Sequence, residues 1–403
     1  MELENVDSQI AVFGGGRWAR VLLGVFIVNT NPNIKFTVHT KHLTEVMRRW
    51  INKNGFMDRV FVTEADPDFI RSRYKAAIVV NSVGGHKKSA QMAINAKVPV
   101  LVEKPMAPSF EETFALIKSA KDNGVLLSSS QVFLYASYID NFIDNLGSIN
   151  DIKCIKLKWT DELAEKRYGE VKSFDSSIPV FKDVLPHLLS ILSKILKNNA
   201  FEFRSCSVSR GGCCAQIIIF IANVECCLTV ERNSNKRRRE ILVKGKNDFV
   251  LDFSTEPGII IANGQTSCGD SHWSSTPSPL EKMVEEFLKQ VSFDKFDNEP
   301  NTELALSTSK LIDQIEPYYL KSLDKWLLDT LDKKEAKKSD IYYFLSELVL
   351  GTFKVSYNKS EELITHYLGI ISSGQLLKEF QNSNTENKDK SIIKFIRSLD
   401  INL

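Results

Sequence analysis

The chain has 403 residues, which at roughly 150 residues per domain predicts two or three domains. Hydrophobic residues make up 43% and charged residues 25%, a balance that excludes a disordered or fibrous chain and leaves an ordinary globular core. A formal net charge of +2 gives no case for a nucleic-acid partner, and no apolar run reaches the ~18 residues of a membrane span. Met1-Glu2-Leu3-Glu4-Asn5 lacks the basic and apolar regions of a signal peptide, so a cytoplasmic protein is expected.

The first predicted strand is Ile10-Ala11-Val12-Phe13, followed at once by Gly14-Gly15-Gly16-Arg17-Trp18-Ala19. Gly14, Gly16 and Ala19 fit G-x-G-x-x-[G/A]: a tight turn, a close backbone approach to a pyrophosphate, and a small residue where helix meets strand. The helix predicted over 20–28 then offers its N-terminal amides to the phosphates. The second strand, Ile34 to His39, ends in Thr40-Lys41-His42, where an NAD-binding chain carries an acid roughly 20 residues after the loop. Without that acid, Thr40 and Lys41 are placed to bind a 2′-phosphate, which favours NADP(H) over NAD(H). Further strands are read at Arg59 to Val62 and Ala76 to Val80. The small-residue loop Asn81-Ser82-Val83-Gly84-Gly85-His86 follows the latter, with Ser82 and His86 as cofactor contacts.

Val98 to Val102 is a short β-branched run that ends in Glu103-Lys104-Pro105. Such a run suits a buried parallel strand, and polar groups at its carboxyl end point into the ligand crevice of an open α/β sheet. Pro105 biases Lys104 towards extended backbone. A helix over 110–123 and the strand Val125-Leu126-Leu127 complete a strand–helix rhythm that predicts a doubly wound parallel sheet.

From Asp151 the pattern changes. Ile152 to Trp159 alternates with period two, and short strands at 208–210, 215–222, 225–230, 239–243, 249–253 and 259–261 predict a mostly antiparallel sheet. A helix around 185–196 is expected to cover one face. The basic run Lys236-Arg237-Arg238-Arg239 is read as an exposed hairpin turn. Asp183 and His187, four residues apart, would share a helix face and set a carboxylate beside an imidazole. The same residues also suit a plain helix start, with Asp183 as N-cap and Pro186 in the first turn. The polar segment 160–179 is a long loop, and Trp159, Arg167, Tyr168 and Lys172 are read as substrate contacts. Seven cysteines include the adjacent pairs Cys213-Cys214 and Cys226-Cys227, whose side chains point to opposite faces of a strand. No Cys-x-x-Cys spacing suggests zinc, so reduced thiols and no metal are expected.

The order Gly14-x-Gly16-x-x-Ala19, Ser82 to His86, Glu103-Lys104-Pro105 and the polar strand end near Gln131 resembles the Gfo/Idh/MocA oxidoreductases over residues 8–320. The resemblance implies a Rossmann domain at 1–130, an α+β substrate domain with a large open sheet at 131–320, and a nicotinamide cofactor. It implies that the Asp183-x-x-x-His187 pair faces Lys104 across the nicotinamide. In that arrangement His187 donates the proton, Lys104 steadies the developing charge, Asp183 orients His187 or meets a substrate hydroxyl, and Glu103 braces the loop. Arg17, Trp18 and Glu103 would join the cofactor contacts. Phe133-Leu134-Tyr135 lacks the arginine that many sugar-acting relatives carry, which leaves room for a biosynthetic ketone or imine. A catalytically silent regulatory protein of the same fold is the alternative. Helices predicted at 280–291 and 302–315 return to the first domain. Beyond Pro317 the resemblance fades into a helical extension over 321–403, read as helices at 318–331, 339–353, 360–380 and 391–399, which could dock a partner or support a homo-oligomer.

Overall fold

The β-branched runs near the N-terminus become strands buried on both faces, as a parallel sheet requires. In a computed structural model of the chain, residues 9–66, 74–163, 165–167, 169–171, 178–293, 299–333 and 337–353 are described. They form two units, each drawn from three stretches of chain: Met1–Asn145, Pro186–Ala200 and Asp270–Lys310 in the first; Leu146–Leu185, Phe201–Gly269 and the chain from Leu311 in the second.

The first unit alternates β1 (Gln9–Phe13), α1 (Arg17–Val28), β2 (Lys35–His39), α2 (Thr44–Asn54), β3 (Val60–Thr63), β4 (Tyr74–Val79), α3 (Val83–Asn95), β5 (Val100–Val102), α4 (Phe110–Asn123), β6 (Leu127–Ser129) and α5 (Ser137–Asn145). The strand order is β3-β2-β1-β4-β5-β6, all parallel. The order reverses at β1, between β2 and β4, which is where open α/β sheets receive ligands. Local signals set the helix ends: Ser109 caps α4 by accepting from the Glu112 amide, and Gly124 closes it at φ 60°. The residues expected as a loop at 83–86 instead form the first turn of α3. Gly84 and Gly85 there follow Ser82, an N-cap residue in extended backbone.

The second unit holds β7 (Cys154–Glu162), β8 (Lys166–Arg167), β9 (Glu170–Val171), β10 (Glu202–Ser209), β11 (Cys214–Ile221), β12 (Val224–Ser234), β13 (Arg238–Lys244), β14 (Asp248–Asp252), β15 (Ile259–Ala262) and β16 (Gln265–Cys268). Eight of these form one sheet in the order β10-β11-β12-β7-β13-β14-β15-β16, antiparallel except where β7 meets β12. Because β7 separates β12 from β13, residues 235–237 cross over instead of forming the hairpin turn expected, and Arg238 and Arg239 of the basic run already belong to β13. Arg239 is among the most deeply buried side chains. The last strand, β16, is polar and exposed throughout.

The long α6 (Val180–Leu196) starts in the second unit and continues into the first. It is followed by α7 (Pro279–Phe293), α8 (Glu299–Lys333) and α9 (Lys338–Phe353). In the first unit Leu22, Leu23 and Phe26 of α1 share a buried cluster with Met283, Val284 and Phe287 of α7. A second cluster joins Ala90 and Ala93 of α3 to Leu116 and Ala120 of α4. A break was expected at Pro317, yet α8 runs through it for 35 residues. Proline forfeits one backbone hydrogen bond there, but Ile315, Tyr319, Leu323 and Leu327, four residues apart in series, are buried along one face and hold the helix. The helices expected at 360–380 and 391–399 lie outside the described residues. No helix among the described residues is long and apolar enough to cross a membrane.

Candidate active site

In the first unit, the groups singled out from the sequence gather at the carboxyl ends of β1, β4, β5 and β6. Gly14 has φ +124°, and a Cβ there would lie 2.6 Å from the Val80 carbonyl oxygen. A Cβ on Gly15 would press on the Thr40 hydroxyl at 2.9 Å, but one on Gly16 would meet nothing within 4 Å. The turn is thus clamped between β2 and β4 while its third glycine faces open space. Gly16 is also the N-cap of α1 and has no side chain to satisfy the first amides, and no acid occupies that first turn. Arg17 is half-buried at the helix start, Trp18 packs against the α1/α7 cluster, and Ala19 is buried. Thr40 is half-buried just past β2, and Lys41 beside it is exposed.

His86 is buried and faces two backbone carbonyls, Pro105 at 2.8 Å from Nδ1 and Asn81 at 3.1 Å from Nε2. Burial pushes its pKa down, and the nearby Lys104 charge adds to this. A neutral ring donates to only one of the two carbonyls. His86 therefore acts as an internal clip that ties the turn after β5 to the turn after β4. That clip fixes Glu103 and Lys104, both half-buried, beyond the end of β5; the Glu103 amide extends the ladder by donating to Val79 at 2.8 Å. Ser82 is the N-cap of α3 and makes no side-chain cap bond.

His187 is half-buried, with its ring edge-on to Phe133 at 5.2 Å. Phe133 lies four residues beyond β6, in a short turn fixed by Lys194, whose ammonium reaches the Leu134 carbonyl at 2.7 Å and Asp140 at 2.8 Å. The segment after β6 and the helix carrying His187 are therefore joined within one unit. Since β6 pairs with β5, the turn that His187 of α6 packs against leaves the sheet beside the end of β5 that leads into Lys104.

Among the buried polar atoms of this unit without a hydrogen-bond partner are Trp18 Nε1, Asn81 Oδ1 and Gln131 Oε1. Buried polar atoms are rarely left so unless a ligand or water completes them. Asn81 and Gln131 each lie two residues past a strand end. With the open space before Gly16 and the uncapped start of α1, they fit a polar dinucleotide along this edge.

Asp183 lies in the second unit, one helical turn before His187. Its carboxylate receives the Arg232 guanidinium at 2.9 Å. Arg232 is buried and also donates to the Ile178 carbonyl at 2.8 Å and the Tyr343 hydroxyl at 3.2 Å. Burial opposes its charge, but Tyr343 and Asp183 outweigh that and raise its pKa. Nearby, the Tyr319 hydroxyl donates to Glu347 at 3.1 Å, and burial lifts the Glu347 carboxyl to about 7 against the pull of Arg232. Gly212 permits this approach, because a Cβ there would lie 2.8 Å from the Tyr319 oxygen. Sequence reasoning missed Arg232, Tyr343 and Glu347. Arg232 carried a signal: it continues the buried parity of Val224, Cys226, Leu228 and Val230 along β12.

The proposed substrate contacts fare unevenly. Trp159 is buried beneath the Arg239 guanidinium, 3.6 Å from the ring centre, and Arg239 in turn pairs with Asp161. Burial lowers the Arg239 pKa to about 10. Arg167 lies in the same unit, half-buried and 3.7 Å from Glu256. Tyr168 and Lys172 lie outside the described residues.

Residues 9–131 match a family model described as an oxidoreductase family with an NAD-binding Rossmann fold. No curated protein matches the sequence. Among solved structures, a UDP-N-acetylglucosamine 3-dehydrogenase from Acidithiobacillus ferrooxidans is similar at 15% identity and a TM-score of 0.63, covering 78% of this chain and 98% of that one. A 3-ketoreductase from Actinomadura kijaniata, solved with TDP-benzene and NADP, is similar at 15% identity and a TM-score of 0.62, covering 77% and 97%. At such identities the likeness is one of fold.

Proposed function

We propose, for a chain whose residues 9–131 belong to the Gfo/Idh/MocA oxidoreductase family, a nicotinamide-dependent enzyme that interconverts a carbonyl or imine with the corresponding alcohol or amine. The observation that carries this reading is the shared edge: an open glycine turn, an uncapped helix start, Lys104 just past the end of β5, and His187 of α6 packed on Phe133 just past the end of the neighbouring β6. When bound, the nicotinamide supplies or accepts the hydride. The protein's own part is to hold and move one proton. His187 gives it to the substrate oxygen or nitrogen in reduction and takes it back in oxidation. Lys104, fixed through the His86 clip, donates a hydrogen bond to that same atom and offsets its developing charge. Asp183 is a positioning residue: its bond to Arg232 fixes the first turn of the helix that carries His187.

Thr40 and Lys41 favour NADP(H), in keeping with the NADP in the A. kijaniata ketoreductase structure. A sugar nucleotide is the substrate class that the two structural neighbours suggest, since one is named for UDP-N-acetylglucosamine and the other was solved with a TDP compound. Titration with NADPH, NADP, NADH and NAD is the first test. Tight NADPH binding, weakened by Lys41→Glu, supports the reading, and no binding of any dinucleotide overturns it. Once a substrate turns over, Lys104→Ala and His187→Asn are each expected to lower kcat by about 10²–10⁴-fold while leaving NADPH binding within a few-fold.

A further inference from the structure

Cys154 on β7 and Glu225 and Cys227 on β12 converge on the half-exposed face of the second unit's sheet. Their two sulfurs and a Glu225 carboxylate oxygen all lie within 4.8 Å of one another, and the Cys227 thiol donates to Glu225 Oε1 at 3.5 Å. Glu225 stands directly opposite Cys154, and Cys227 stands opposite Lys156. The two cysteines are therefore diagonal neighbours, two residues out of step on adjacent strands.

That register decides between the two things a pair of thiols can do. With strands about 4.8 Å apart and a rise of about 3.3 Å per residue, diagonal Cα atoms are roughly 8 Å apart. A disulfide needs Cα atoms within about 7 Å, so one here would require the strands to slide. A bridging ion has no such limit. Tetrahedral zinc, with Zn–S near 2.3 Å and Zn–O near 2.0 Å, sets its sulfurs about 3.8 Å apart and sulfur from oxygen about 3.5 Å. The Cys227–Glu225 separation already matches, and small χ1 adjustments bring Cys154 to the same ion.

We propose that Cys154, Glu225 and Cys227 form a binding site for a thiophilic divalent cation of the zinc class, with water as the fourth ligand. Thiolate donors select such an ion over magnesium or calcium. Two thiolates and a carboxylate leave one net negative charge around a divalent ion. Lys156 and Lys244, register partners of Cys227 and Cys154, stand beside it to offset that charge. The partly exposed thiols leave room for the water. The site lies in the second unit and does not depend on the dinucleotide reading.

The test is a titration of the reduced, metal-free full-length protein with Co²⁺, following the thiolate-to-cobalt charge-transfer absorption, then displacement by Zn²⁺. One equivalent per chain is expected. Cys154→Ser and Cys227→Ser should each abolish the band, Glu225→Gln should weaken binding at least tenfold, and Cys268→Ser should leave it unchanged. Circular dichroism of each variant checks folding. Should a serine variant misfold, Zn²⁺ protection of Cys154 and Cys227 from alkylation in the wild type, read by mass spectrometry, is the second measurement. Absence of the band, a band that survives the double serine variant, or alkylation that Zn²⁺ does not slow overturns the proposal.

Discussion

At the scale of single residues, the three glycines after β1 have three different jobs. Gly14 is fixed by its positive φ and by the Val80 carbonyl 2.6 Å from where a Cβ would stand. Gly14→Ala should therefore cost stability, by about 1–3 kcal/mol, seen as a fall in the denaturant midpoint. Gly16 bears no such load, since its Cβ would enter open space. Gly16→Asp should leave the midpoint nearly unchanged and weaken dinucleotide affinity tenfold or more, by setting a carboxylate where phosphate belongs. The pair of variants separates folding from binding within one motif, by calorimetric titration beside an unfolding curve. The spacing of Gly14, Gly16 and Ala19 was readable in the sequence because strand, turn and helix are local. What His86 does was not readable. From the sequence it reads as a cofactor contact on a loop, and only the meeting of two strand ends, at Asn81 and Pro105, makes it a clip.

At the scale of elements, the second sheet was legible in its alternation and opaque in its order. Period two marks Ile155, Leu157 and Trp159 on β7 as one face. Nothing in the sequence says that β7 lies between β12 and β13, so the basic run reads as a hairpin turn; Lys236 and Arg238 are exposed as that reading has them, but Arg239 is buried. The exceptions to the pattern held the information: Arg232 and Arg239 occupy buried positions of their strands, and each is matched there by a carboxylate, Asp183 and Asp161. Arg232→Ala should cost about 3–5 kcal/mol, because it strands partners buried around it. The contribution of α9 can be read through Glu347. Its carboxyl is raised by burial from the usual range to about 7, so between about pH 4.5 and 7 the folded protein binds more protons than the unfolded one. Stability then falls as pH rises through that window, by up to about 1.4 kcal/mol per pH unit, and levels off above it. Glu347→Gln should flatten this dependence relative to wild type, as denaturation series at pH 5, 6 and 7 would reveal.

At the scale of the whole molecule, both units are discontinuous in sequence, and neither can be cut out with two boundaries. The Rossmann motifs end near residue 131, which invites expression of the first 145 residues alone. Such a fragment would lack Leu280, Met283, Val284 and Phe287, which share the buried cluster with Leu22, Leu23 and Phe26. At roughly 1.5–3 kcal/mol per buried side chain, their loss approaches the entire stability of an ordinary domain. A 1–145 fragment should bind a hydrophobic dye and give collapsed amide dispersion in NMR, whereas the full chain should do neither. The helices over 280–291 were visible in the sequence as amphipathic. That their apolar face belongs with α1 depends on contacts some 260 residues apart, which no local pattern records.

The polar edge of the second sheet bears on how the protein can be handled. Ile259 and Ile261 of β15 are exposed large apolar residues; β14 pairs one edge of β15, and Gln265–Cys268 of β16 cover the other. A strand of that composition with one edge laid bare is a template for its own kind. Those four residues thus govern shelf life. Deleting them, or placing proline at Thr266, should make concentrated stocks turn cloudy on storage, with light scattering rising over days, while freshly thawed material stays clear.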